Sequence, residues 1–127
     1  MNELKNFSPQ EYLEKSIYNE KFALEIKENF PDWSLVALFY SAVHLTQAYF
    51  IEIDEFPTSH SKRFKLLANI LDKNTFYSYQ MLYNYSQNAR YYPIKYIPAD
   101  VDKVYSKYFL PFKNTIYELL KSIKKIR

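Results

Sequence analysis

Glycine is absent from the whole chain. Without it, the tight turns, phosphate-cradling loops and left-handed helix ends that need a residue with no side chain cannot be built in the usual way. That removes P-loops, dinucleotide-binding turns and most β-hairpin designs. Cysteine is also absent, which excludes disulfides, a catalytic thiol and any Cys/His zinc site. The chain is compatible with a reducing cytoplasm, and no metal or cofactor is expected. Histidine is limited to His44 and His60, so imidazole acid–base chemistry has only two sources. Net charge is small too. Seventeen Lys and Arg against fourteen Asp and Glu leave a formal +3, a balance that permits RNA or DNA without demanding it.

What remains is apolar and aromatic. Hydrophobic residues make up 48% of 127 positions, enough for one core and too few for two, so residues 1–127 are read as a single domain. The opening "MNELKNFSPQEYLEK" is charged throughout and has no apolar centre, which argues against a secretory signal and for a cytoplasmic protein. The uncharged run from Trp33 to Ile51 is about long enough to span a bilayer. Ser34, Ser41, His44, Thr46 and Gln47 are spread along it with no second span to satisfy them, so a buried central helix is expected and no membrane.

"SPQE", Ser8 to Glu11, opens a first helix: Ser8 as N-cap, Pro9 at the first position and Glu11 closing a capping box. It is predicted to run to about Phe30. "FPDW" ends it, and Asp32 is expected to cap a second helix over about Trp33 to Ile53, antiparallel to the first. Ser34, Ala37, Ser41, His44 and Ala48 form a seam of small side chains along which another helix can approach. A third helix is predicted from about Ser59 and a fourth from about Asn74 to Tyr91, stopped by Pro93. After the irregular "YYPIKYIPAD", a fifth runs from Asp100 to the C-terminus, kinked at Pro111. No segment alternates with period two. The predicted class is all-α, an up-and-down bundle of about five helices.

The unusual polar residues gather in "FYSAVHLTQAYF", "PTSHSKRFKLL" and "YSQNARYYP". Tyr40 and His44 are one turn apart on the second helix; Tyr79, Tyr83, Ser86 and Arg90 share one face of the fourth. Arg90 either clamps a phosphate or closes the end of its helix, where a cation suits the free carbonyls. His44 is either a buried ring bonded to one neighbour or a catalytic group. His60 makes a local bond to its loop or serves as a base. Arg63 pairs with Glu52, Asp54 or Glu55, or extends the anion site of Arg90. The run Tyr77, Tyr79, Tyr83, Tyr85, Tyr91, Tyr92 and Tyr96 either packs the core or stacks bases. Glu52, Asp54 and Glu55 are read as a solvated loop rather than a divalent-ion site. The basic "KSIKKIR" either complements its helix dipole or contacts a phosphate backbone.

In order, these three stretches resemble the HEPN family, small helical-bundle proteins named for nucleotide binding in higher eukaryotes and prokaryotes. Members commonly show a tyrosine and histidine one turn apart on a central helix, as Tyr40 and His44 stand here. They also show a Thr/Ser-His pair opening the next helix, like Ser59 and His60, and an arginine near the end of the fourth, like Arg90. The likeness covers about Asp32 to Tyr92. It implies a metal-independent RNase or an RNA- or nucleotide-binding relative of one, acting as a homodimer and often as a toxin paired with an antitoxin protein. In such enzymes a histidine moves a ribose hydroxyl proton while the arginine stabilises the phosphate. One departure is plain: the family's arginine is followed within about a turn by histidine, and no histidine follows His60 here. Lys95 stands at that spacing. The resemblance therefore implies a degenerate or inactive nuclease, with Arg90, His60 and His44 as candidate catalytic residues. Arg90, Lys95, Tyr91, Arg63 and Tyr40 are the candidate phosphate or nucleotide ligands. A non-catalytic interaction module or a structural homodimer is the other expectation.

Overall fold

A computed structural model describes residues 3–126, and among them no strand occurs. After a single 3-10 turn, Glu3–Asn6, helix α1 spans Pro9–Ile26. Its start is the expected capping box: Ser8 Oγ accepts from the Glu11 N–H at 3.1 Å, and Glu11 Oε1 accepts from the Ser8 N–H at 3.0 Å. The helix stops four residues short of Phe30. Proline disfavours helical backbone in the residue before it, and Phe30 beside Pro31 is non-helical, with φ −138° and ψ 63°.

Helix α2 spans Pro31–Glu52, and Phe30 occupies its N-cap position without a side-chain bond. The expected cap, Asp32, lies inside the first turn instead. Pro31 takes the first helical position, for which its fixed φ is suited, so the carboxylate complements the positive end of the dipole rather than capping it. Beyond α2 the chain turns through Asp54 at φ 59°. Glycine would ordinarily take this left-handed position; lacking any, the chain uses aspartate, one of the few other residues that tolerates it.

Helix α3 spans His60–Ile70, with Ser59 Oγ accepting from the Lys62 N–H. Helix α4 spans Lys73–Tyr91, where Asp72 Oδ1 accepts from the Thr75 N–H at 2.7 Å. Helix α5, Pro98–Val104, passes through one widened π turn, Tyr105–Phe109, directly into α6, Leu110–Ile126. Together these form the fifth long helix of the bundle. It starts at Pro98 rather than at Asp100, whose Oδ2 reaches back to the Ile97 N–H at 2.9 Å. The widened turn sits just before Pro111, and Leu110 donates five residues back to the Tyr105 carbonyl. A proline inside a helix both lacks a donor and crowds the preceding turn, and one widened turn relieves the crowding.

α2 is the centre of the bundle. Leu35, Leu38, Phe39, Leu45 and Phe50 are fully buried against Leu82 and Tyr79 of α4 and Phe112 and Ile116 of α6. Its apolar window is long enough to cross a membrane, yet 78% of it is covered by the rest of the chain, as for a core helix. The small-residue seam is occupied by α1. Ser41 Oγ donates to the Ser16 carbonyl at 2.7 Å, Ser16 Oγ to the Ser41 carbonyl at 2.8 Å, and Ser34 Oγ to the Ala23 carbonyl at 2.7 Å. As the α1 partner advances from 16 to 23, its α2 partner recedes from 41 to 34, so the pair is antiparallel. The helix that approaches along the seam therefore belongs to the same chain.

One polar triad ties α1 to the last helix. The Glu20 carboxylate accepts from Tyr105 at 2.6 Å and from Lys113 Nζ at 2.8 Å, at 12% side-chain exposure. Burial first, and then this bond, push the Tyr105 phenol up to about 12. Lys113→Met leaves a half-desolvated carboxylate without its cation. The expected cost is about 2 kcal/mol, below that of a fully buried pair because Lys113 keeps some solvent, and is read as a lowered urea midpoint.

Candidate anion-binding site

The last turn of α4 carries Arg90 up against α2. Its Nη1 donates to the Tyr40 hydroxyl at 2.9 Å and its Nη2 to the Tyr91 hydroxyl at 2.7 Å, with the guanidinium carbon 4.9 Å from the Tyr91 ring centre. The bonds of Arg90 therefore go to two phenols and not to the helix-end carbonyls. The Asn88 carbonyl in the last turn is met by the Tyr92 N–H at 3.1 Å.

His60 opens α3 with its ring over the core, 5.8 Å from the Phe39 ring and 5.7 Å from Tyr83. Its Nδ1 is 2.8 Å from Arg63 Nη1. Arg63 is only 8% exposed, and among the described residues no carboxylate pairs with it. This overturns the ion pair expected with the 52–55 loop, since the guanidinium turns inward toward His60 and Tyr79. Its Nε, the Tyr79 hydroxyl and Ser86 Oγ are all buried without a hydrogen-bond partner. Burial pushes the Tyr79 phenol up to about 12, although the nearby Arg63 charge opposes the shift. Arg63 and Tyr79 thus feel each other's charge without forming a well-directed bond.

Of Tyr79, Tyr83, Ser86 and Arg90, grouped on one face of α4, Tyr79 and Tyr83 pack against Phe39 and Phe64, and Arg90 reaches Tyr40. The tyrosine run divides: Tyr79 is core, Tyr83, Tyr85 and Tyr96 are half-buried, and Tyr77, Tyr91 and Tyr92 are more than half exposed.

His44 lies apart from Arg90, toward α1. Its Nδ1 is 2.8 Å from Gln47 Oε1, and its ring stacks on Tyr12 at 6.2 Å. It lines two open cavities. One, about 290 Å³, is bounded by Lys15, Phe22, Trp33 and Tyr40; the other, about 320 Å³, by Phe7, Glu11, Tyr12 and Lys15. Tyr40 is therefore shared: its ring borders the first cavity and its hydroxyl holds Arg90. A larger concavity of about 380 Å³, lined by Glu55, Pro57, Lys62, Lys65 and Asn69, contains none of these groups. Lys95 is exposed in the segment after Pro93 and shows no bond to the Arg90 cluster among the described residues. The acidic loop forms no metal-holding group with other described residues, and the tail beyond Ile123 has no described side chains.

Both imidazoles are held below the usual histidine value of 6.5. For His60 the causes are burial, then the charges of Arg63 and Arg90; for His44, burial, partly opposed by the Gln47 bond, then the charges of Lys15 and Arg63. A histidine whose pKa is depressed on folding is harder to protonate in the folded chain than in the unfolded one, so its contribution to stability is full above pH 6.5 and is lost as pH falls below it. Urea midpoints above and below that pH are expected to show this loss, and the double change His44→Gln, His60→Gln to flatten it.

Some partners were out of reach of sequence reasoning. Gln47 stands one turn from His44 and could have been found from helical spacing, whereas Tyr12 and Lys15 arrive through tertiary packing alone. Compared with known proteins, the chain matches no family model, no curated protein and no solved structure.

Proposed function

We propose that this chain is a HEPN-like protein that binds RNA or a nucleotide through the Arg90 cluster, as a degenerate metal-independent RNase of a toxin–antitoxin or defence system. One observation carries the reading. Two guanidiniums, one of them buried, gather near two phenols and an imidazole with no carboxylate paired to either. A buried cation without a counter-ion is costly, and a phosphate supplies the missing charge. Both phenols accept from Arg90 and keep their own protons to donate. Arg90 is thereby oriented as a fork for phosphate oxygens, and Tyr91 offers an exposed face for a base. With no histidine in the segment after Arg90, His60 and His44 are the only imidazoles for proton transfer. A second copy of the chain, or a protein antitoxin, is the expected partner.

A non-catalytic interaction module is the second reading, favoured by the exposed Phe22, Phe30 and Trp33 at the junction of α1 and α2. Incubation with a labelled RNA pool in EDTA, beside Arg90→Ala, separates the two. Cleavage lost in the variant supports the nuclease, and retention of RNA without cleavage supports the degenerate form. Neither cutting nor binding at protein concentrations near those of the RNA transfers the weight to the interaction module.

A further inference from the structure

We infer that the two histidines are locked in opposite tautomers, His44 with its proton on Nδ1 and a bare Nε2, His60 with its proton on Nε2 and a bare Nδ1. Each assignment follows from the neighbour at 2.8 Å. The Gln47 oxygen beside His44 Nδ1 can only accept a hydrogen bond, so the ring must donate there. The Arg63 Nη1 beside His60 Nδ1 can only donate, so the ring must accept there. The free nitrogens are thus opposite in character: Nε2 of His44 is an acceptor, and Nε2 of His60 is a donor.

This divides the labour between them. His60, beside Arg63 and near Arg90, adds one more N–H to a cluster suited to anions. It cannot take up a proton on Nδ1 without giving up the Arg63 bond. His44 borders both α1–α2 cavities, and its bare nitrogen calls for a hydroxyl or N–H on whatever enters. Tyr40 joins the cavity to Arg90. The ligand class that satisfies both ends is a phosphoester carrying a free hydroxyl, with its phosphate at Arg90 and its hydroxyl toward His44. With both rings neutral, His44 Nε2 would accept a hydrogen bond from the hydroxyl, and His60 Nε2–H would donate one to a phosphate oxygen. The ligand assignment rests on the phosphate-binding reading; the tautomers do not. Gln47 and Arg63 are positioning residues in this scheme.

Long-range ¹H–¹⁵N correlation of the imidazole nitrogens, on ligand-free ¹⁵N-labelled protein at neutral pH, reads the tautomers directly. The expected spectrum has His44 protonated at Nδ1 and His60 at Nε2, each minor form below about a tenth, the bias that one hydrogen bond supplies. Gln47→Leu is expected to release His44 from its Nδ1–H form and leave His60 unchanged. Arg63→Met is expected to free His60 Nδ1, and Arg63→Lys, which keeps a donor, to retain the wild-type pattern. The same tautomer on both rings of the wild-type protein would overturn the inference, as would a His44 signal indifferent to Gln47→Leu. The wild-type spectrum decides alone if a variant fails to fold. Failure to bind phosphate would count against the proposed function and leave the tautomers standing.

Discussion

Arg90→Ala is expected to weaken binding of a short single-stranded RNA by about 30- to 150-fold at low salt, the loss of about 2–3 kcal/mol that accompanies removal of charge-assisted hydrogen bonds. The physical reason lies in how the side chain is held. Tyr40 and Tyr91 each accept from one Nη group, at 2.9 and 2.7 Å, so the fork is placed before a ligand arrives and little rotamer freedom remains to be lost. Arg90→Lys keeps the charge but cannot reach both phenols, and is expected to recover only a small part of the loss. Tyr40→Phe, which leaves the half-buried ring in place and frees one arm of the fork, should fall between wild type and the alanine variant. Equilibrium binding by fluorescence anisotropy checks all three. Because Arg90 sits only half-buried at a helix end, thermal unfolding of Arg90→Ala is expected to stay close to wild type, which separates a binding loss from a folding loss.

The second large effect has the opposite sign for stability. Arg63 is a cation at 8% exposure with an unpartnered Nε and a neutral imidazole as its bonded neighbour. Burying a charge without a carboxylate opposes folding, and an apolar chain of similar volume removes that opposition. Arg63→Met is therefore expected to stabilise the ligand-free protein by about 1–2 kcal/mol, or about 4–8 °C in Tm for a chain of this size. The same change should abolish the stabilisation that added phosphate gives the wild type, since a ligand that binds only the folded state stabilises it by an amount that grows with the logarithm of ligand concentration over its Kd. Thermal melts of both proteins, with and without phosphate, check the two halves together. A variant less stable than wild type, or one that still gains from phosphate, would show that Arg63 belongs to the scaffold rather than to an anion site.

Much of the architecture was legible because local chemistry and tertiary packing agree. Ser8 and Ser59 cap where their side chains can reach the first exposed N–H groups, and α2 lies at the centre because it is apolar on nearly every side. Asp32 was misplaced as a cap because Pro31 claims the first helical position, a stronger constraint than a carboxylate's preference. The contact between Arg90 and Tyr40 spans fifty residues, yet both had been singled out as unusual polar residues on otherwise apolar faces. For Arg63 the sequence offers both a pair with the acidic loop and a place in the anion site of Arg90; three-dimensional packing turns it inward beside His60. The seam of small residues was correctly read as a place of close approach, but one chain cannot reveal whether the approaching helix is its own. Hydrogen bonds between Ser16 and Ser41 answer that. Lys95 was chosen by spacing alone, and nothing in the packing brings it to Arg90.

A phosphate-sized anion is expected to seat itself between α2, the start of α3 and the end of α4. The most direct measurement is a titration of ¹⁵N-labelled protein with inorganic phosphate, then with a short RNA, following backbone amides and the arginine side-chain signals. Saturable shifts confined to residues around Tyr40, His60–Arg63 and Asn88–Tyr92, absent in Arg90→Ala, are the predicted result. Unsaturable shifts scattered over surface lysines, or a saturable site that survives Arg90→Ala, would contradict it.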